Sequence, residues 1–178
     1  MDIARTPATP DGNPVMADAA IEPKAPPVIR REDYTPFPWL IPATRMEFEL
    51  GLEKTRITTT LNVERNPDAA ASPTIRLNGD GLALVSLACD GGSCDGHMID
   101  GDDLVVTLPG DRHVLTIVTE LAPSDNSQLI GLSASTGMLC TQCEAERFRR
   151  IPFFPDRHAV HTTYAVPISA PRASFAAL

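Results

Sequence analysis

The sequence predicts an all-β fold of antiparallel strands, and three observations carry that expectation. Apolar residues recur at every second position from Arg45 onward rather than at a helical period. The turn-forming pairs Asn66-Pro67, Asn78-Gly79 and Pro109-Gly110 separate the alternating runs. Only residues 141–149 offer a plausible helical turn.

Nine of the 17 prolines fall within the first 42 residues, in an Ala-, Pro-, Asp- and Thr-rich stretch without periodicity. Residues 1–31 are therefore expected to form a disordered or extended arm, and residues 32–178 the domain. Met46, Phe48 and Leu50 alternate with Glu47 and Glu49, the pattern of a half-buried strand with a charged outer face. After Gly51 and a short polar link, Ile57, Thr59, Leu61 and Val63 alternate with Thr58, Thr60 and Asn62, which makes a hairpin with the preceding strand. Further short runs lie at 74–77, 82–87, 104–108 and 114–118, the spacing of a sandwich or a partly open barrel. Residues 89–103 (CDGGSCDGHMIDGDD) are dense in Asp and Gly but lack the calcium-loop spacing, so they read as turns. Beyond Glu120 the chain offers a polar loop at 123–128, a Gly- and Ser-rich stretch at 129–139 and the turn at 141–149, where Glu146 and Arg150 stand at i,i+4. Residues 164–178 read as a strand whose partners are missing, which leaves the sandwich incomplete and one sheet edge open.

Composition excludes several functions. With 15 Lys+Arg against 23 Asp+Glu the formal charge is −8, so no electrostatic footprint for nucleic acid or for an anionic membrane is expected. The longest apolar run, 81–89, is half of the roughly 18 residues a membrane span needs. The N-terminus has no apolar export segment, and a cytoplasmic address follows. In such a compartment the four cysteines are expected to be thiols.

No complete catalytic centre or metal site is legible. Cys140 and Cys143 form a C-x-x-C pair, but Cys89 and Cys94, four residues apart, make a poor second half for a zinc site. His158 and His161, three apart, could bind a metal on one side of a helix, but the neighbouring residues favour a strand there, in which they would point to opposite faces; the pair therefore reads as satisfied or solvent-facing. No H-E-x-x-H and no complete G-x-S-x-G occurs. The catalytic and metal assignments are accordingly none.

What remains distinctive is the string CTQCEAE at 140–146, followed by FRR at 148–150 and FFPDR at 153–157. These residues resemble the bacterial aminopeptidase N family of zinc-dependent gluzincin aminopeptidases, in the segment that closes the N-terminal domain against the catalytic domain. The resemblance extends upstream through IRREDYTPFPWLIPATRMEFEL, TRITTTLNVERNP, IRLNGDGLALVSL and IVTELAPSDNSQLIGL, and covers residue 28 to the C-terminus. It implies a saddle-like β-sandwich and a role for Gln142 and Glu144 in contacting the free α-amine of a peptide substrate. It also implies that zinc, the general base and the exopeptidase loop belong to a catalytic domain outside these residues, so that the chain holds no cofactor itself and is inactive alone. Without the resemblance, Glu144 reads as a helix-terminal carboxylate.

The chain departs from the family pattern at Arg147, where glycine is usual, at Ser133, where an aromatic is, at Pro152, where threonine or a similar residue is, and at His158, where proline is. It also looks shortened between residues 87 and 95, with Cys94 at an apolar or aromatic position. A second expectation, of a different class, is a non-catalytic β-sandwich module that binds a protein partner through its exposed sheet edge.

Overall fold

The computed structural model describes residue 30 and residues 34–171. The arm expected over residues 1–31 lies outside the described residues except for Arg30, and so do residues 172–178 of the last expected strand. In chain order the strands are β1 (Trp39–Glu49), β2 (Thr55–Arg65), β3 (Thr74–Leu77), β4 (Ala83–Cys89), β5 (Gly92–Ser93), β6 (His97–Asp100), β7 (Asp103–Thr107), β8 (Arg112–Leu121), β9 (Gly131–Ser135), β10 (Met138–Gln142), β11 (Thr163–Ala165) and β12 (Ile168–Ser169).

The predicted hairpin is β1 and β2, with Met46 opposite Thr59 and Phe48 opposite Ile57. Its connection is closed by Thr55, whose hydroxyl donates to the Gly51 carbonyl at 2.8 Å and accepts the Gly51 N–H at 3.1 Å. This pair is the centre of a seven-stranded sheet ordered β11-β1-β2-β8-β4-β5, with β12 also on β1. A three-stranded sheet, β3-β7-β6, and the β9–β10 hairpin make up the rest.

Asn78-Gly79 and Pro109-Gly110 turn out to be crossings between sheets: β3 and β7 lie in the small sheet, whereas β4 and β8, which follow them, lie in the large one. The two sheets face each other across one core. Ile41, Leu61, Val63, Leu115 and Ile117 of the large sheet pack with Ile75, Leu77, Leu104 and Val106 of the small one. Trp39 joins this core and its Nε1–H reaches the Thr74 carbonyl at 2.9 Å, bonding one sheet to the other. A second cluster unites Met46 and Ile57 with Leu132 of β9 and Ile151, which seats the β9–β10 hairpin against the other half of the β1–β2 pair.

Four expectations are corrected. Of the expected strand at 164–178, the described residues do not lack partners: β11 and β12 pair with β1 in parallel, through Thr44 opposite Tyr164 and Phe48 opposite Ile168. Cys89 and Cys94 are not thiols but a disulfide, because the tight β4–β5 hairpin brings their Cα atoms to 5.1 Å; Cys140 and Cys143 remain free. The Gly- and Ser-rich stretch after residue 129 folds into the β9–β10 hairpin, and β10 takes residues 141 and 142 out of the expected helical turn. The strand expected around His158 and His161 begins only after them, at β11, but both side chains are exposed, as the solvent-facing reading of the pair expects. No helix of the described residues is long and apolar enough to cross a membrane.

Candidate functional site

Gln142 is the last residue of β10 and pairs with Gly131 of β9. Along β10 Met138, Cys140 and Gln142 share one face and are exposed, whereas Leu139 turns inward onto the second cluster. The chain then leaves the sheet in a short loop carrying Glu144, with a cis peptide between Glu144 and Ala145. The side chains of Gln142 and Glu144 are exposed and make no hydrogen bond or ion pair among the described residues. Glu144 is therefore not the helix-terminal carboxylate that composition alone suggests.

The base of this loop is closed from several sides. The Arg147 N–H donates to the Cys143 carbonyl at 3.1 Å. Glu146 takes the left-handed conformation, with φ of 57°, while Arg147 has φ of −113°, so the bulky residue at 147 meets no backbone demand for glycine. A single 3-10 turn, Phe148–Arg150, then sends three side chains in three directions. Phe148 stands edge-on to Phe154 at 5.3 Å and to Tyr164 at 5.9 Å. Arg149 donates through Nε to Asp156 Oδ2 at 2.9 Å and through Nη2 to Glu146 Oε2 at 3.2 Å. Arg150 Nη1 reaches Gln128 Oε1 at 2.8 Å and Asp80 Oδ2 at 3.3 Å. The expected Glu146–Arg150 pair is thus replaced by Glu146–Arg149 at i,i+3, while Arg150 turns to Gln128 and Asp80.

Gly131 completes the closure. It has φ of +75°, and a Cβ placed there would lie 2.7 Å from Arg150 Cβ. The residue paired with Gln142 therefore touches the backbone that leaves the loop, and both ends of the Glu144 loop are fastened together. Within it the half-buried Cys143 thiol is pushed above its ordinary pKa by burial and by the nearby Asp156 carboxylate.

Two clefts flank the loop's base. One, of about 330 Å³, is lined by Phe37, Arg76, Asn78, Arg149, Asp156 and Arg157 together with Glu146; the other, of about 270 Å³, includes Asp80, Glu120, Asp125 and Arg150. Neither is lined by Gln142 or Glu144. These two side chains project from the domain without an enclosing wall of their own. Among the described residues no group of three His, Cys, Asp or Glu side chains could hold a metal ion, so the donor set for zinc does not fit here. His158 instead places Nε2 4.0 Å from Glu146 Oε1. Sequence reasoning singled out FFPDR but not what Asp156 does, and it read Asn78 only as a turn residue.

The fold and the projecting loop together define a class. A structure of Legionella pneumophila aminopeptidase A in complex with aspartic acid matches 81% of this chain and 17% of its own length, at a TM-score of 0.73 and 22% identity. A Deinococcus radiodurans M1 zinc metallopeptidase matches 77% of the chain and 33% of its own length, at 0.64 and 16%. The fold is that of the β-sandwich domain of M1 zinc metallopeptidases. In sequence the chain is 41% identical to aminopeptidase N of Caulobacter vibrioides over 147 residues, and 32% identical to aminopeptidase N of Escherichia coli over 145. The chain belongs to the aminopeptidase N family, as an N-terminal domain. It spans 17% of the Caulobacter protein and 16% of the Escherichia coli one. No family model matches the chain.

Proposed function

We propose that this chain serves as the N-terminal domain of a zinc aminopeptidase, an enzyme that removes N-terminal residues from peptides, and that Gln142 and Glu144 recognise the substrate's α-amine. The observation that carries this reading is an exposed carboxylate and an exposed carboxamide, both unpartnered, on a loop fastened at its base in a chain so similar to aminopeptidase N. A free carboxylate facing a cationic amine forms a charge-assisted hydrogen bond, and its strength grows once a covering domain excludes water. Recognition of that amine selects the end of a peptide over its interior. The chain offers no zinc ligand set among its described residues, and the reading assigns it no catalytic step.

Two assays test the reading. The isolated chain with added zinc is expected to release no chromophore from alanine p-nitroanilide; turnover above the blank that Glu144→Ala abolishes would refute the assignment of catalysis elsewhere. Residues 34–171, grafted in place of the matching segment of the Caulobacter protein, are expected to support hydrolysis. Glu144→Gln in that graft should lower kcat/KM by at least about tenfold, the loss of one charge-assisted bond. An unchanged value would remove Glu144 from the site.

A second reading rests on the sheet edge. Tyr164, Val166 and Ile168, in and between β11 and β12, are each about half exposed beside β1. Such an edge suits β-strand addition by a protein partner. Light scattering after size exclusion at several concentrations tests it against a second copy of the chain: self-association supports the edge as an interface, whereas a strictly monomeric species counts against it. A cytoplasmic address is part of the proposal, and acid-quenched thiol counting in cell extracts checks it. Four free thiols would support that address, whereas recovery of the Cys89–Cys94 disulfide seen in the structure would count against it.

A further inference from the structure

A chain of polar contacts runs from the candidate loop to the small sheet. Asp156 is mostly buried, and its Oδ2 accepts both the Nε–H and the backbone N–H of Arg149, at 2.9 and 3.2 Å. Arg149 Nη2 also donates to the Asp156 carbonyl at 3.2 Å while it holds Glu146. Asp156 is fixed in turn by Asn78, whose Oδ1 accepts the Asp156 N–H at 3.2 Å. Asn78 exchanges two backbone hydrogen bonds with Phe154, and its Nδ2 donates to Asp103 of β7 at 3.3 Å. The Asp103 carboxylate also receives Arg76 Nη1 from β3 at 3.0 Å.

From this geometry we propose that Asp156 and Arg149 are positioning residues for Glu144. They tie the loop, through Glu146, to the small sheet and so hold the amine-recognising carboxylate at a fixed place relative to the sandwich core. The inference rests on the amine-recognition reading for its purpose, but its physical content is independent of it. A carboxylate on a five-residue loop loses rotational and backbone freedom when it captures a ligand, and a loop already ordered by partly buried ionic hydrogen bonds leaves less freedom to lose. Arg149 suits the task because its planar fork reaches Asp156 and Glu146 at once, which a lysine cannot do.

The loop carries its own reporter. In the whole chain with Cys140→Ser, Cys143 is the remaining free thiol, flanked by Gln142 and Glu144. Its alkylation by iodoacetamide is followed by intact mass without reductant, and exchange of the Arg147 amide, bonded to the Cys143 carbonyl, is followed in parallel. Arg149→Ala is expected to speed Cys143 alkylation and Arg147 exchange by about tenfold, the scale of a local opening, with Arg149→Lys in between. The sign is diagnostic. Removing Arg149 leaves the negative charge of Asp156 uncompensated near the thiol, and a purely electrostatic role therefore predicts slower alkylation. Val63→Ala, which weakens the distant core, should lower the melting temperature and leave both rates unchanged. Unchanged or slower alkylation in Arg149→Ala and Arg149→Lys, with unchanged Arg147 exchange, overturns the proposal. A failure of the amine reading has a different signature, an unaffected Glu144→Gln in peptide hydrolysis.

Discussion

At the scale of single residues, the candidate site depends on side chains that are free and on others that are not. Gln142 and Glu144 have no partner within the domain, while the neighbouring Phe148, Arg149 and Arg150 are each committed to a different contact. Gly131 is the position where this arrangement has least tolerance. An alanine there meets Arg150 Cβ at 2.7 Å and its carbonyl oxygen at 3.2 Å, in a left-handed backbone. Gly131→Ala is therefore expected to cost about 1–3 kcal/mol, read by urea unfolding; a loss under about 0.5 kcal/mol would show that the two ends of the loop are not in contact. From sequence alone, Gln142 and Glu144 were legible only through the resemblance of CTQCEAE to a family. Asp156 was visible within FFPDR, but its link to Arg149 depends on a 3-10 turn whose register no periodicity encodes.

At the scale of elements, the strands that alternate strongly were legible and those that do not were missed. Met46 to Leu50 and Ile57 to Val63 bury every second side chain in or beside the β1–β2 hairpin, so period two is written into them. The β9–β10 hairpin is short, and Gly, Ser, Thr and Cys make up most of it, so its sequence carries no hydrophobic alternation to read. The Cys89–Cys94 disulfide is not legible in the sequence, because β5, the strand that turns Cys94 back toward Cys89, is only two residues long and carries no alternation. Cys89 and Cys94 close a short loop at the sheet edge, and the chain-entropy model assigns such a loop about 2 kcal/mol. Paired Cys89→Ser and Cys94→Ser variants should lose that amount in chemical unfolding, and an unchanged midpoint would mean that the bond is absent in solution.

The turn within that hairpin carries a pH signature. Asp90 accepts the Val114 N–H at 2.8 Å and pairs with His113 Nδ1 at 2.8 Å, while His113 Nε2 accepts the Gly110 N–H at 3.0 Å. The hydrogen bond to His113, and then that from Val114, hold the Asp90 carboxyl below its ordinary pKa. A carboxyl whose pKa is lower in the folded state contributes stability above its unfolded value of about 4 and loses it as pH falls through the folded one. Asp90→Asn should therefore flatten the acid limb of the stability curve below about pH 4. An acid limb identical to that of the wild type would show that Asp90 is unpaired in solution.

For the whole molecule, the two-sheet architecture was legible as a class because turn signals fell between alternating runs, but the topology was not. Asn78-Gly79 reads like a hairpin turn and is a crossing between sheets, which only the burial of Leu77 and Leu104 in a common core reveals. The same packing places a fastened loop with two unpartnered polar groups on the outside of the sandwich. The central claim is that these groups read a peptide's charged amine. It is tested most directly by a discrimination ratio in the grafted aminopeptidase: kcat/KM for alanine p-nitroanilide over that for its desamino analogue, propionyl p-nitroanilide. The account predicts a strong preference for the amine that falls by at least about tenfold in Glu144→Gln, with the slow desamino substrate little changed. A ratio that survives Glu144→Gln and Gln142→Ala intact would contradict it.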